Sequence, residues 1–159
     1  MDGSYVDERY MLVREHPLSV SHDDFALEFH VGFLLRKAHQ RHVAIFTEAA
    51  AEQGLTPTQF AALHKAVQLG RTTQNHLGRL VAMDPATVQG VVRRLTLRGL
   101  LVGAPDPLDR RTIVLSPTEA GAALVAATVS CAQRAHDNAL APLTPDERSV
   151  FLSLLRKMV

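Results

Sequence analysis

Residues 84–121 read DPATVQGVVRRLTLRGLLVGAPDPLDRRTIVLSPTEAG, and this stretch decides the fold. Asp84 is placed to accept hydrogen bonds from the unpaired amides of a helix whose first residue is Pro85, and Gly99 is placed to close that helix in a left-handed conformation. Between these caps Val88, Val91, Val92 and Leu95 recur at helical spacing, which leaves Ala86, Thr87, Gln89, Gly90, Arg93 and Arg94 on other faces. Beyond Gly99, Leu100 to Ala104 and Thr112 to Leu115 are short strand-like runs. The PDPLDRR between them is too polar and too rich in proline and aspartate to be anything but a turn. The stretch therefore predicts a helix, a basic β-hairpin and the start of a further helix. Small residues near the first helix's start would let its backbone approach base edges, while Gln and Arg carry donors for bases and phosphates. An amphipathic helix with a merely solvated polar face would show the same pattern; the basic hairpin beside it favours the groove-reading helix.

The hairpin carries a longer pattern. Asp109, Arg111, Thr118 and Gly121 stand at the spacing Asp-x-Arg, five residues, Leu-Thr, two residues, Gly, with Pro117 where the leucine is usual. On these residues, and on the order of helices over residues 32–158, the chain resembles the MarR family of bacterial winged helix-turn-helix transcription regulators. Pro117 is compatible with the pattern if Ser116-Pro117-Thr118-Glu119 forms a capping box with proline at the first helical position. The resemblance implies a mainly α fold with a small β-hairpin wing, that is, a winged helix-turn-helix plus a helical dimerisation region.

Composition fits that class. The chain has 159 residues, 47% apolar and 21% charged, which suits one globular domain over 1–159 with a sizeable core. No apolar run approaches the roughly 18–20 residues that span a bilayer, and the start MDGSYVDERY is acidic where a signal peptide would be basic and then apolar. A cytoplasmic protein without membrane contact is expected. The single cysteine, Cys131, excludes an internal disulfide framework. Net charge is only +1, but residues 71–111 hold seven arginines (71, 79, 93, 94, 98, 110, 111) against three aspartates (84, 106, 109). Affinity for DNA follows cations near the phosphates and not the total charge, so a local basic surface on a neutral body is what matters.

The remaining helices restart at recognisable caps. A short helix is expected over Val6 to Glu15, within a segment (1–22) that is either a disordered tail or, as in members of the family, an arm that embraces a partner subunit. Phe33 to Ala51 carries a broad apolar face, Leu34, Leu35, Ala38, Val43, Ile45, Phe46 and Ala49, and Gly54 ends the segment. Thr56-Pro57-Thr58-Gln59 opens a second helix bearing Phe60, Leu63 and Val67, which stops at Gly70. Thr73 begins a short third helix with Leu77, Leu80 and Val81 facing inward. Across the turn Ala82-Met83-Asp84, it and the Asp84 helix form a helix-turn-helix. After the wing, an alanine-rich helix runs from Pro117 to about Ala141, and Thr144-Pro145-Asp146-Glu147 opens the last, with Val150, Phe151, Leu154, Leu155 and Met158. The dimerisation helices are thus expected at about 1–53 and 117–159 and the DNA-binding lobe at about 55–116, the long helix having no obvious partner within one subunit.

The resemblance implies a sequence-specific DNA-binding homodimer on a pseudo-palindromic operator, its Asp84 helices in successive major grooves about 34 Å apart. The candidate DNA residues are Thr73, Gln74, Thr87, Gln89, Gly90, Arg93, Arg94, Arg110 and Arg111. Gln89 suits adenine and Arg93 guanine or phosphate, while Arg94 divides evenly between the groove and a surface salt bridge. Asp109 is expected to hold the wing turn, through Arg111 or the hairpin amides, while Arg110 or Arg111 enters the minor groove. The run GFLLRKAHQRHVAIF (32–46) is similar to members that control aromatic-acid catabolism. That likeness implies a repressor released by a small aromatic carboxylate or its coenzyme A thioester, with Phe33, Arg36, His39, Phe60 and His64 as candidate ligand contacts. Other readings have fewer residues behind them. An enzyme would need parts that do not occur, such as a Gly-rich phosphate loop, HExxH, CxxC or a nucleophile elbow, and no cofactor or bound metal is expected. A metal-responsive regulator would use His39 and His42, three apart on one helix with nothing clear to complete the site, and an oxidant-responsive one would use Cys131, which reads more simply as packing. A winged helix that binds protein instead of DNA is the last alternative; the wing arginines and the lack of acidic residues from Pro85 to Gly99 count against it.

Overall fold

The computed structural model describes residues 26–159; the expected Val6 to Glu15 helix and the arm over 1–22 lie outside the described residues. The described residues fall in two compact units, 26–37 in the first and 38–159 in the second. In the first, a 3-10 turn at Leu27–Phe29 leads into α1, Val31–Ala49, whose later part belongs to the second unit. Phe29, Val31, Leu34 and Leu35 are exposed apolar side chains.

The second unit is built from the end of α1, then α2 (Pro57–Leu69), β1 (Thr72–Thr73), α3 (Gln74–Leu80), α4 (Pro85–Leu97), β2 (Leu101–Pro105), β3 (Ile113–Pro117), α5 (Glu119–Ala139) and α6 (Pro145–Arg156). Local chemistry starts and stops most of these as expected. The Thr56 hydroxyl accepts from the Gln59 amide while the Gln59 side chain accepts from the Thr56 amide, and Thr144 and Glu147 form the same reciprocal pair. Gly70 and Gly99 follow α2 and α4 at φ of 69° and 68°, a left-handed region open to glycine at little cost. Arg41 adds a cap that local spacing does not reveal: its guanidinium donates to the carbonyls of Ala139 (2.6 Å) and Asn138 (3.2 Å) at the end of α5.

The helix-turn-helix lobe folds around Leu63, Leu77, Val88, Val91, Leu95 and Leu101, all almost fully buried. Every apolar residue expected on the inner face of α4 is in this core. Burying each such side chain is worth about 1.5–3 kcal/mol, so the face that holds α4 in place is set by four residues. A smaller cluster of Phe46, Ala50, Cys131 and Ala135 joins the end of α1 to α5. Along α5, Gly121, Val125, Thr128, Cys131 and Ala135 make the buried stripe, while Val129 stays 47% exposed.

The expected wing hairpin is present as β2 and β3, and β1 adds a third strand to it in the order β1-β3-β2, antiparallel throughout, with Thr73 opposite Val114 and Gly103 opposite Leu115. A two-residue strand has no alternation to read. Two expectations are corrected. Leu80 is 45% exposed instead of facing inward, because α3 ends there and the chain turns through Ala82 at φ 52°. The expected box Ser116-Pro117-Thr118-Glu119 does not form. Pro117 is the last residue of β3, paired with Leu101, and Thr118 is the cap, its hydroxyl accepting from the Gly121 amide (3.0 Å) while donating to the Gly99 carbonyl (2.7 Å). The ladder to β2 keeps residue 117 extended, which moves the cap later than proline alone indicates.

Candidate nucleic-acid interface and adjoining cavity

The exposed surface of α4 is positioned by its cap and its core face together. The Asp84 carboxylate accepts from the Thr87 amide (2.9 Å) and from the Thr87 hydroxyl. These hydrogen bonds, the hydroxyl's first, hold the Asp84 carboxyl below the usual carboxylate range. The hydroxyl proton of Thr87 is thereby committed to Asp84, so Thr87 offers outward its methyl group and an acceptor. Gln89 and Arg93 are exposed one turn apart on the same helix. Gly90 allows the Arg94 guanidinium to lie over it: a Cβ built there would meet the Arg94 nitrogens at 3.5 and 3.7 Å. Thr73 caps α3 by accepting from the His76 amide (3.3 Å), and Gln74, half-buried, opens that helix.

In the wing the alternatives for Asp109 resolve to backbone and hydroxyl. Its carboxylate accepts from the Arg111 amide (3.1 Å) and the Thr112 hydroxyl (2.8 Å). Both wing arginines are exposed, at the tip between β2 and β3. Arg98, one of the seven arginines of residues 71–111, instead ties the end of α4 to the loop before α2, its guanidinium donating to the carbonyls of Gly54 (2.7 Å) and Gln53 (3.2 Å). For Arg110→Ala, the salt dependence of DNA binding is expected to flatten by about one unit in log–log slope for each copy that neutralises a phosphate, checked by titration at several salt concentrations. An unchanged slope would mean the side chain never reaches DNA.

Behind α4 lies a cavity of about 350 Å³ lined by His39 and Val43 of α1, Thr56, Pro57, Thr58 and Gln59 at the start of α2, and Arg94 of α4. Of the five ligand candidates, His39 lines it. Phe60 and His64 are engaged with each other instead (ring centroids 5.5 Å apart), and Phe60 also meets Phe46 at 5.6 Å. Phe33 and Arg36 lie in the first unit, where the Arg36 guanidinium stands 5.7 Å and the Lys37 ammonium 5.5 Å from the Phe33 ring centroid. The expectation for Arg94 is the DNA surface or a salt bridge; its place in the cavity wall is not legible in the sequence, because it depends on how α4 meets α1 and α2. Beside the cavity, burial and then the neighbouring His39 and His136 push the His42 imidazole below its ordinary value of 6.5. The folded state thus refuses a proton that the unfolded chain accepts. His42 supports stability fully above pH 6.5, and that support is lost as pH falls below it. The drop in melting temperature between pH 7.5 and 5.5 is expected to be smaller in His42→Gln than in the parent protein. Cys131 is buried, with the Arg134 guanidinium 3.2 Å from its sulfur and Gln53 Oε1 at 3.5 Å.

Among the described residues no helix is long and apolar enough to cross a membrane, and no group of three or more His, Cys, Asp or Glu is arranged to hold a metal ion. The model of the MarR family matches residues 53–112, which run from just before α2 to the end of the wing turn, short of β3. The HTH-type transcriptional repressor NicR of Pseudomonas putida is 43% identical over 129 residues, 81% of this chain and 82% of that protein. Among solved structures, a probable transcriptional regulator from Pseudomonas aeruginosa superposes with a TM-score of 0.80 at 42% identity, covering 84% of this chain and all of that one. BpsR of Bordetella bronchiseptica, whose DNA binding is regulated by 6-hydroxynicotinic acid, superposes with a TM-score of 0.79 at 39% identity over 84% of this chain and 96% of that one.

Proposed function

The chain belongs to the MarR family of winged helix-turn-helix transcriptional regulators, and from that premise we propose that it is a homodimeric repressor released from its operator by a small aromatic carboxylic acid. The observation that carries the effector half of this reading is the cavity shared by His39 and Arg94. An aromatic acid needs apolar walls and a cation or imidazole for its carboxylate; Val43 and Pro57 supply the former, Arg94 and His39 the latter. A volume of about 350 Å³ has room for a single substituted ring. The relation to BpsR points in the same chemical direction. The DNA half rests on the exposed Gln89 and Arg93 and on the arginines at the wing tip. The dimer would use the apolar surface left open on α6 and just after it, where Val150, Phe151, Leu154 and Met158 are each at least 41% exposed, with about 1–53 and 117–159 as the dimerisation region.

For release, the acid must bind the DNA-free arrangement more tightly than the DNA-bound one, since equal affinity would shift nothing. The test is a thermal-shift screen of benzoic and pyridinecarboxylic acids and their hydroxylated forms, followed by DNA titration with each hit. At a hundredfold excess over the dissociation constant a hit should stabilise the protein by about 2.7 kcal/mol, a rise of roughly 5–10 °C for a chain of this size. It should also weaken DNA binding, and His39→Ala should lose the shift while still binding DNA. Stabilising acids that leave DNA affinity intact would overturn the reading of the cavity.

A further inference from the structure

At the wing tip, Leu108 is 99% exposed, the largest exposure of any large apolar side chain among the described residues. Such a residue in a loose loop would carry no meaning, but the turn that holds it is closed by a ring of hydrogen bonds. The Asp106 amide donates to the Thr112 carbonyl (2.8 Å), the Leu108 amide to the Asp106 carboxylate (2.8 Å), and the Thr112 amide to the Asp109 carbonyl (2.9 Å). The Asp109 carboxylate, accepting from Arg111 and Thr112, completes it. Pro105 and Pro107 restrict the backbone further. The backbone entropy of presenting Leu108 is therefore lost on folding, leaving only side-chain rotamer freedom to be lost on binding.

A second feature lies directly beside it. A cleft of about 490 Å³ separates the wing turn, at Asp106, Pro107 and Leu108, from Arg71, Thr72 and Thr73 on the other side, with Val114 of the middle strand between them. It is open, carries a cation on its far wall, and stands between the helix-turn-helix and the wing.

We propose that Leu108 is an apolar wedge: with a sugar-phosphate strand in the cleft against Arg71, its side chain enters the minor groove and partly unstacks one base step in each half-site. This inference rests on the reading of the protein as a DNA-binding regulator. Exposed leucines and similar side chains serve in this way where a protein bends the duplex, the unstacking being offset by surface brought into contact. Flexible pyrimidine–purine steps unstack at the lowest cost, so the wedge adds preference for such a step at a position where no hydrogen bond reads the base. Arg110 and Arg111 bring the tip to the negative groove. Leu108 has no charge, and its contribution therefore shows in base stacking and not in salt dependence.

The experiment uses the full chain and a duplex that the wild-type protein selects from a random-sequence pool, with 2-aminopurine placed in turn at the adenines under the wing. Wild-type protein is expected to raise the emission at one step per half-site. Leu108→Ala should abolish that rise and weaken binding by about tenfold, the net of leucine burial and unstacking, with the salt slope and melting temperature unchanged. Leu108→Met should restore the emission. The inference is overturned if the wild-type protein raises no emission at any position, or if Leu108→Ala retains the rise. If Arg110→Ala flattens the salt slope while Leu108→Ala is silent, DNA binding stands and the wedge falls. If the wild-type protein selects no duplex, both fall.

Discussion

Replacing Gly121 by alanine is expected to lower stability by about 3 kcal/mol, the upper part of the range for overpacking a tight site, and the melting temperature by roughly 6–12 °C. The glycine lies in the first turn of α5, where the helix passes so close to the main chain at Leu100 that an added Cβ would stand inside the envelope of the Leu100 carbonyl oxygen. That oxygen has no room to retreat, because it accepts the Thr118 amide (3.2 Å), and Thr118 is also bonded to the carbonyl of Gly99. One methyl group thus opposes the latch that joins the end of α4, the base of the wing and the start of α5. Gly90→Ala is the matching control. There a Cβ makes ordinary contacts with the flexible Arg94 side chain, so fold stability should hold or rise by up to about 1 kcal/mol, as alanine favours a helix interior over glycine. Circular dichroism melts of the two variants decide the matter, and a Gly121→Ala protein melting within about 2 °C of the parent would contradict the packing argument.

Gln89→Ala is expected to weaken binding to the selected operator by about 1–3 kcal/mol in each half-site. A dimer presents two copies, so the expected loss is about 2–6 kcal/mol, roughly thirtyfold to twenty-thousandfold. Binding to random DNA should change little, since it rests on phosphate contacts. Gln89 is exposed one turn before Arg93, on a helix whose opposite face is buried through Val88, Val91, Val92 and Leu95. The substitution therefore removes a base-reading group without touching the core. Equal losses on operator and random DNA would assign Gln89 a general role. No loss on either would remove it from the interface.

The sequence by itself determined the elements whose causes lie within a few residues of each other. The cap at Asp84 with Pro85 behind it, the reciprocal pairs at Thr56 and Gln59 and at Thr144 and Glu147, the left-handed stops at Gly70 and Gly99, and the buried face of α4 all stand in the structure where local hydrogen bonding and helical periodicity put them. The motif from Asp109 to Gly121 pointed to the fold through both kinds of cause: its aspartate closes a local turn, and its glycine lies under the distant Leu100 carbonyl. Tertiary structure decided what depends on residues distant in the chain. Thr72 and Thr73 become a strand only because β3, about forty positions away, offers its edge. Pro117 stays extended because Leu101 pairs with it, and that displaces the cap to Thr118. Arg98 turns from an expected part of the basic surface into a tie to Gln53 and Gly54, and Arg94 becomes part of a cavity wall with His39. In each case the side chain's identity was legible and its partner was not, because hydrogen-bond donors and cations are satisfied by whichever acceptor the packed apolar core brings within reach.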